Sequence, residues 1–173
     1  MPLLNTIKAD ETLAPFLRDE CCENDICAEV DEGLDADDYL IIKVDDYYNN
    51  LGLGDTPPSP DCLFVVRCGD DEYALNIVEL KKTGKTRDFK VDNLVSKFET
   101  CLSDFMLLQF SEYFDRDFKD IHLFFVSKIP LFPNSQEMQG RKMRILTRRP
   151  LEFRGKVYFI DPRNPEPMIT PCN

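Results

Sequence analysis

Pro60-Asp61-Cys62-Leu63-Phe64-Val65-Val66-Arg67-Cys68-Gly69-Asp70-Asp71-Glu72-Tyr73-Ala74-Leu75-Asn76-Ile77-Val78-Glu79-Leu80-Lys81-Lys82 reads as two strands joined by a tight turn. Cys62 to Cys68 is a short apolar run rich in β-formers, Gly69-Asp70-Asp71 is turn chemistry, and Tyr73 to Leu80 is a second β-rich run. Side chains alternate along a strand, so Glu79 and Lys81 share a face and Leu80 points to the other. A three-residue turn over Gly69–Asp71 sets Cys68 against Glu72 and, at the far end of the ladder, Asp61 against Glu79. Directly opposed residues project from one face. A two-residue turn would move Asp61 to the wrong face, so the convergence of Asp61, Glu79 and Lys81 depends on this register.

Two carboxylates beside an ammonium make a recognisable chemical set. Mg²⁺ takes oxygen ligands, commonly one or two carboxylates with water and substrate phosphate. The bound ion lowers the pKa of a water and stabilises charge building on phosphate oxygens. Pro60-Asp61, one hairpin, then Glu79-Leu80-Lys81 resembles the PD-(D/E)xK signature of the restriction-endonuclease-like nucleases. The resemblance implies that Asp61 and Glu79 are metal ligands, that the Leu80 backbone carbonyl faces the metal, and that Lys81 is the catalytic lysine. It also implies an α/β fold of the α+β kind, a restriction-endonuclease-like core with a central mixed β-sheet flanked by helices. The expected cofactor is Mg²⁺, with Mn²⁺ able to substitute.

The chain of 173 residues suits one domain with a real core. It holds no apolar run long enough to span a bilayer, and its first residues lack the pattern of a signal peptide. A cytoplasmic protein is the default expectation. Seven cysteines form no paired CxxC arrangement, and His122 is the single histidine. A structural zinc site is therefore not expected. Cys62, Cys68 and Cys101 read as small core residues, Cys21, Cys22 and Cys27 as a loose cluster, and His122 as a strand-end residue.

A net charge of −11 opposes simple nucleic-acid binding, but the charge is unevenly spread. Residues 1–61 carry 16 acidic and 3 basic side chains, whereas residues 62–173 carry 16 and 18. A basic linker (Lys82, Lys85, Arg87, Lys90) follows the hairpin, and a second basic segment includes Arg141, Lys142 and Arg144. Lys82, Lys85, Arg87, Arg141, Lys142 and Arg144 are the candidate phosphate-backbone contacts.

Expected organisation is a single nuclease-like domain over 1–173: an acidic helical part (1–38), a core (39–128), peripheral basic strands (129–160) and an irregular proline-rich tail (161–173). In the first part, Ala9 to Cys22 and the Ile26, Val30, Leu34 edge read as helical, and the resemblance allows Glu29 or Glu32 to add an acidic ligand. Tyr39–Val44 reads as a strand, and Tyr47 onward as a loop in which Tyr47 or Tyr48 is placed to stack on a base or to pack on the sheet. Val91, Leu94, Val95, Phe98, Leu102, Phe105 and Met106 recur at helical spacing, with Lys97 on another side, placed either to reach the site or to lie on the surface. Ile121–Lys128 reads as a strand reached by a parallel crossover. Met143–Thr147 and Lys156–Ile160 read as two further strands. The order helix, three strands, helix, strand resembles the core of that nuclease superfamily.

The leading expectation is a Mg²⁺-dependent endonuclease acting on DNA, with RNA left open, and with a homodimer or partner subunit if both strands are cut. The alternative is a non-catalytic protein, either nuclease-like or an acidic mimic of DNA, that binds a basic partner. No GxxxxGK[ST] sequence occurs, which disfavours a P-loop hydrolase.

Overall fold

The computed structural model describes residues 2–129, 137–163 and 168–172. In chain order these form α1 (Leu3–Lys8), β1 (Leu17–Arg18), β2 (Cys21–Glu23), β3 (Ile26–Val30), β4 (Tyr39–Lys43), α2 (Val44–Asn50), β5 (Cys62–Arg67) and β6 (Tyr73–Lys81). There follow α3 (Val91–Glu99), which runs on as a π-helical stretch (Thr100–Gln109), then α4 (Ser111–Phe114), β7 (Asp120–Ser127) and α5 (Glu137–Arg148). Last come β8 (Leu151–Phe153), β9 (Lys156–Tyr158), β10 (Ile160–Arg163) and β11 (Met168–Ile169).

A six-stranded mixed sheet, ordered β1-β4-β5-β6-β7-β10, runs through the middle. Strands β4, β5 and β6 are an antiparallel meander, and β7 lies parallel to β6. That parallel pairing requires a crossover, and α3 with its π-helical extension provides it. The β5–β6 ladder pairs Cys62 with Val78 and Arg67 with Tyr73. The Cys68 N–H donates to the Glu72 carbonyl at 2.7 Å, closing the three-residue turn. Extended by one step, this register sets Asp61 against Glu79.

Both sheet faces are buried, which accounts for the near-continuous apolar strands. Leu63, Val65, Leu75, Ile77, Leu123 and Phe125 face α3 and its extension, where Leu94, Phe98, Leu102, Phe105 and Met106 close the core. The crossover helix ends at Phe110, whose φ of −128° leaves the helical region while its N–H still reaches the Phe105 carbonyl. Phe64, Val66, Val78, Leu80, Phe124 and Val126 face the other way, under Ile26, Ala28 and Ile169 of a small sheet ordered β11-β3-β2.

Several expectations are corrected. Residues 21–30 are a β-hairpin rather than helix. Asn24 and Asp25, at φ 48° and 64°, supply the two left-handed residues of its turn. Val44–Asn50 is helical, and Tyr47 and Tyr48 are buried in the main core, so neither is available to stack on a base. Met143–Thr147 belongs to α5 rather than a strand, with Leu146 as its buried contact. The expected strand Lys156–Ile160 is divided: β9 pairs with β8, while β10 joins the main sheet beside β7. The tail is not irregular throughout, since β11 pairs in parallel with β3.

The cysteine reading changes most. Cys21–Cys62, Cys22–Cys27 and Cys68–Cys172 are disulfides, and Cys101 alone is free and buried. All three bridges lie on the small-sheet side. Cys21–Cys62 ties β2 to the start of β5, Cys22–Cys27 staples the β2–β3 hairpin, and Cys68–Cys172 fastens the segment after β11 to the main hairpin.

Candidate functional site

Asp61 and Glu79 stand where the meander ends. Asp61 precedes β5, and its carbonyl accepts from the Val44 N–H at 3.0 Å, which pins it beside the β4–α2 junction. Its carboxylate Oδ2 accepts from the Leu80 N–H at 2.6 Å, and Oδ1 lies 3.5 Å from the Lys43 ammonium. Leu80 thus contributes an N–H to Asp61, while its side chain packs in the opposite core. Glu79 is only 3% exposed. Its Oε1 accepts from Lys97 Nζ of α3 at 2.6 Å, and its Oε2 is buried with no hydrogen-bond partner.

The electrostatics follow from this enclosure. Burial, with the Asp61 charge added, pushes Glu79 up to about 8, against the pull of Lys97 and Lys81. Lys43 also faces Asp45 at 3.4 Å and Glu23 at 3.7 Å. Burial alone would lower the Lys43 pKa, yet Asp61, Asp45 and Glu23 together raise it. Burial lifts Asp45 to about 6, opposed by Lys43 and assisted by Asp61 and Asp46. The hairpin end is therefore a crowd of carboxylates held by two lysines, one from β4 and one from α3. Lys81 ends β6, partly exposed, and has no ion-pair partner among the described residues.

The remaining sequence candidates separate into two groups. Lys82 pairs with Asp25 at 2.9 Å, Arg87 lies 3.7 Å from Asp88, and Lys85 is exposed. On α5, Arg141 is exposed, Arg144 donates to the Gly140 carbonyl at 3.2 Å, and Lys142 donates to the Phe89 carbonyl at 3.1 Å. The Lys142 contact brings α5 against the basic linker, so the two basic segments do share one neighbourhood. Glu29 and Glu32 are both exposed, and no contact joins either to Asp61 or Glu79.

Sequence reasoning missed Lys43 and Asp45. The signal was available: in a meander, the end of β4 lies beside the start of β5, and Lys43 pairs directly with Cys62. Lys97 reads from sequence either as reaching the site or as a surface lysine, and the structure places it on Glu79. Its position three residues after Leu94 and one before Phe98 gives no direct sign of its carboxylate partner.

Asp61 and Glu79 suit a hard cation as two carboxylates with one unclaimed oxygen, the number Mg²⁺ commonly takes from protein. Among the described residues, no group of three or more His, Cys, Asp or Glu side chains is placed to hold a metal ion. No family model, curated protein or solved structure matches the chain.

Proposed function

We propose that the protein is a metal-dependent nuclease hydrolysing phosphodiester bonds, with DNA as its substrate and Mg²⁺ or Mn²⁺ as its cofactor. The observation that carries this reading is the unpartnered, buried Glu79 Oε2 opposite Asp61. A buried carboxylate oxygen without a partner costs about 1–3 kcal/mol or more, which a ligand at that point would offset. The antiparallel meander followed by a parallel strand supports the same reading, as does the PD-(D/E)xK spacing.

In this mechanism Asp61 and Glu79 would hold the ion, with the Leu80 N–H fixing the Asp61 carboxylate. The ion supplies an acidified water and charge stabilisation on the phosphate. Glu79, pushed up to about 8 by burial, would have to hold the ion as its carboxylate. Lys97 keeps the Glu79 carboxylate oriented from the α3 side. Lys81 holds the attacking water or the phosphate oxygen. The water oxygen bonds to phosphorus, the ester P–O bond breaks, and the water proton ends on the departing oxygen. Lys82, Lys85, Arg87, Arg141, Lys142 and Arg144 hold the phosphate backbone. A homodimer or partner subunit would let both strands be cut together. A cytoplasmic setting for this enzyme carries a condition, because disulfides persist mainly in oxidising compartments. No helix among the described residues is long and apolar enough to cross a membrane.

A second reading is favoured by one observation. Lys43 and Lys97 already meet Asp61 and Glu79, as they would in a hairpin end that binds no metal. In that case the protein is non-catalytic and its acidic first third docks on a basic partner.

Circular and linear DNA incubated with Mg²⁺ or Mn²⁺, against EDTA and Glu79→Ala, separates the two. Metal-dependent cleavage lost in the variant is expected. Absence of cleavage together with absence of Mg²⁺ binding by calorimetry would leave the non-catalytic reading standing.

A further inference from the structure

A groove of about 530 Å³ opens on the sheet face opposite Glu79, lined by Asn76, Lys119, His122, Phe124, Arg163 and Pro171, among others. Its volume lies within the range of small-molecule sites. Asn76 decides its character. It sits inside β6 between Leu75 and Ile77, on the face where Val78 and Leu80 are apolar, and it is 6% exposed. Its amide makes no hydrogen bond to any described residue. Among the described residues Glu79 Oε2 is the one buried side-chain polar atom without a partner, so the Asn76 amide opens onto the groove rather than into the core.

The neighbours supply charge and a flat surface. His122 pairs with Asn76 across the β6–β7 ladder. The His122 ring stacks parallel to Phe124, with centroids 5.5 Å apart and planes 4° apart. Arg163 lies over the Phe124 ring at 5.3 Å. Lys119 has no ion-pair partner among the described residues. Among the described residues Asp120 is the one carboxylate on the wall, 3.2 Å from His122, and Asp161 pairs with Arg163 from beside it at 2.6 Å. The wall therefore combines two cations, a half-exposed imidazole face and an amide, open to the groove, that both donates and accepts.

We propose that this groove binds a small anion carrying a flat ring, of the nucleoside monophosphate class. Its phosphate meets Lys119 and Arg163, its ring lies against His122, and the Asn76 amide reads the ring edge, as asparagine does with the donor–acceptor edge of a base. The site is separate from Asp61 and Glu79 and stands whether or not that end cleaves DNA.

The test is calorimetric titration of the full chain with the four nucleoside monophosphates, the matching nucleosides and inorganic phosphate. One-to-one binding of at least one monophosphate is expected, at least about tenfold tighter than its nucleoside or phosphate, a difference of about 1.4 kcal/mol. Asn76→Leu and Arg163→Ala should each weaken it about tenfold or more, and Asn76→Leu should leave the melting temperature within a few degrees of the wild type. Arg163 is half exposed, so its alanine variant tests binding even if the Asn76 variant folds poorly. No monophosphate binding at millimolar concentration overturns the proposal, as does affinity unchanged in both variants. Phosphate binding as tightly as the nucleotides overturns the ring contact. A melting temperature lowered by several degrees in Asn76→Leu would make Asn76 a structural residue and overturn its part.

Discussion

The two faces of the main sheet are covered in different ways. Among the described residues, the face under α3 belongs to a cluster of 35 buried residues, and the face under β2, β3 and β11 to a cluster of 13. The first is closed by a two-part helix and a run of aromatic contacts through Tyr47, Phe105, Phe110 and Phe114. The second is closed by three short strands and three disulfides. Apolar area scales with the size of the covering element, so a thin layer gains less from burial and more from cross-linking. The lesson is that one sheet can be held by two kinds of physics, and that the candidate catalytic pair lies where they meet. Asp61 is adjacent to the bridged Cys62, while Glu79 is tied to α3 through Lys97.

The largest expected effect breaks the thin face. Reduction of all three bridges should cost about 2–5 kcal/mol for each one lost. Hydrogen exchange should show β2, β3 and β11 opening first while β5, β6 and β7 stay protected. Simultaneous loss of protection on both faces would show that the layers are not independent.

Next in size, Phe105→Ala attacks the thick face and should cost about 3–5 kcal/mol in denaturant unfolding, with the bridges intact. A cost below about 1 kcal/mol would mean that this aromatic cluster does not carry the face.

A smaller effect lies at the junction. The folded-state pKa of Glu79, about 8, is above its ordinary value of 4.5, so its contribution is full below about pH 4.5 and is lost as pH rises through about 8. Wild-type stability should therefore fall across that window relative to Glu79→Gln, whose amide does not titrate. Parallel pH curves for the two proteins would place Glu79 in a more solvated setting than its 3% exposure gives it. Mg²⁺ binding at the pair should release a proton near neutral pH, measurable from the buffer dependence of the binding heat.

Much of the centre was legible in the sequence because local chemistry and tertiary context agree there. Gly69-Asp70-Asp71 set the turn, alternation set both faces, and helical spacing set the crossover from Val91. The antiparallel register followed from the length of one turn. The N-terminal part was not legible, because the Ile26, Val30, Leu34 spacing suits a helix while the Asn24-Asp25 turn and the Cys22–Cys27 bridge commit the segment to a hairpin. Cysteine pairing depends on chain segments 41 and 104 residues apart, which no local pattern records. The two lysines that meet the carboxylates arrive from other elements: the adjacency of β4 and β5 offered a signal for Lys43, and the sequence left Lys97 between the site and the surface.

The small sheet has a consequence for the order in which the protein is made. β11 is its edge strand beside β3, and Cys172 is the partner of Cys68. Ribosomes deliver residues 62–81 long before residues 168–172, so the hairpin leaves the tunnel with Phe64, Val66, Val78 and Leu80 lacking part of their eventual cover. Cys68 must wait as a thiol over the same interval, while Cys21, Cys22, Cys27 and Cys62 are already available to one another. A nascent chain of this kind exposes an adhesive apolar surface and an unpaired thiol together, the conditions under which chaperones and disulfide isomerases act.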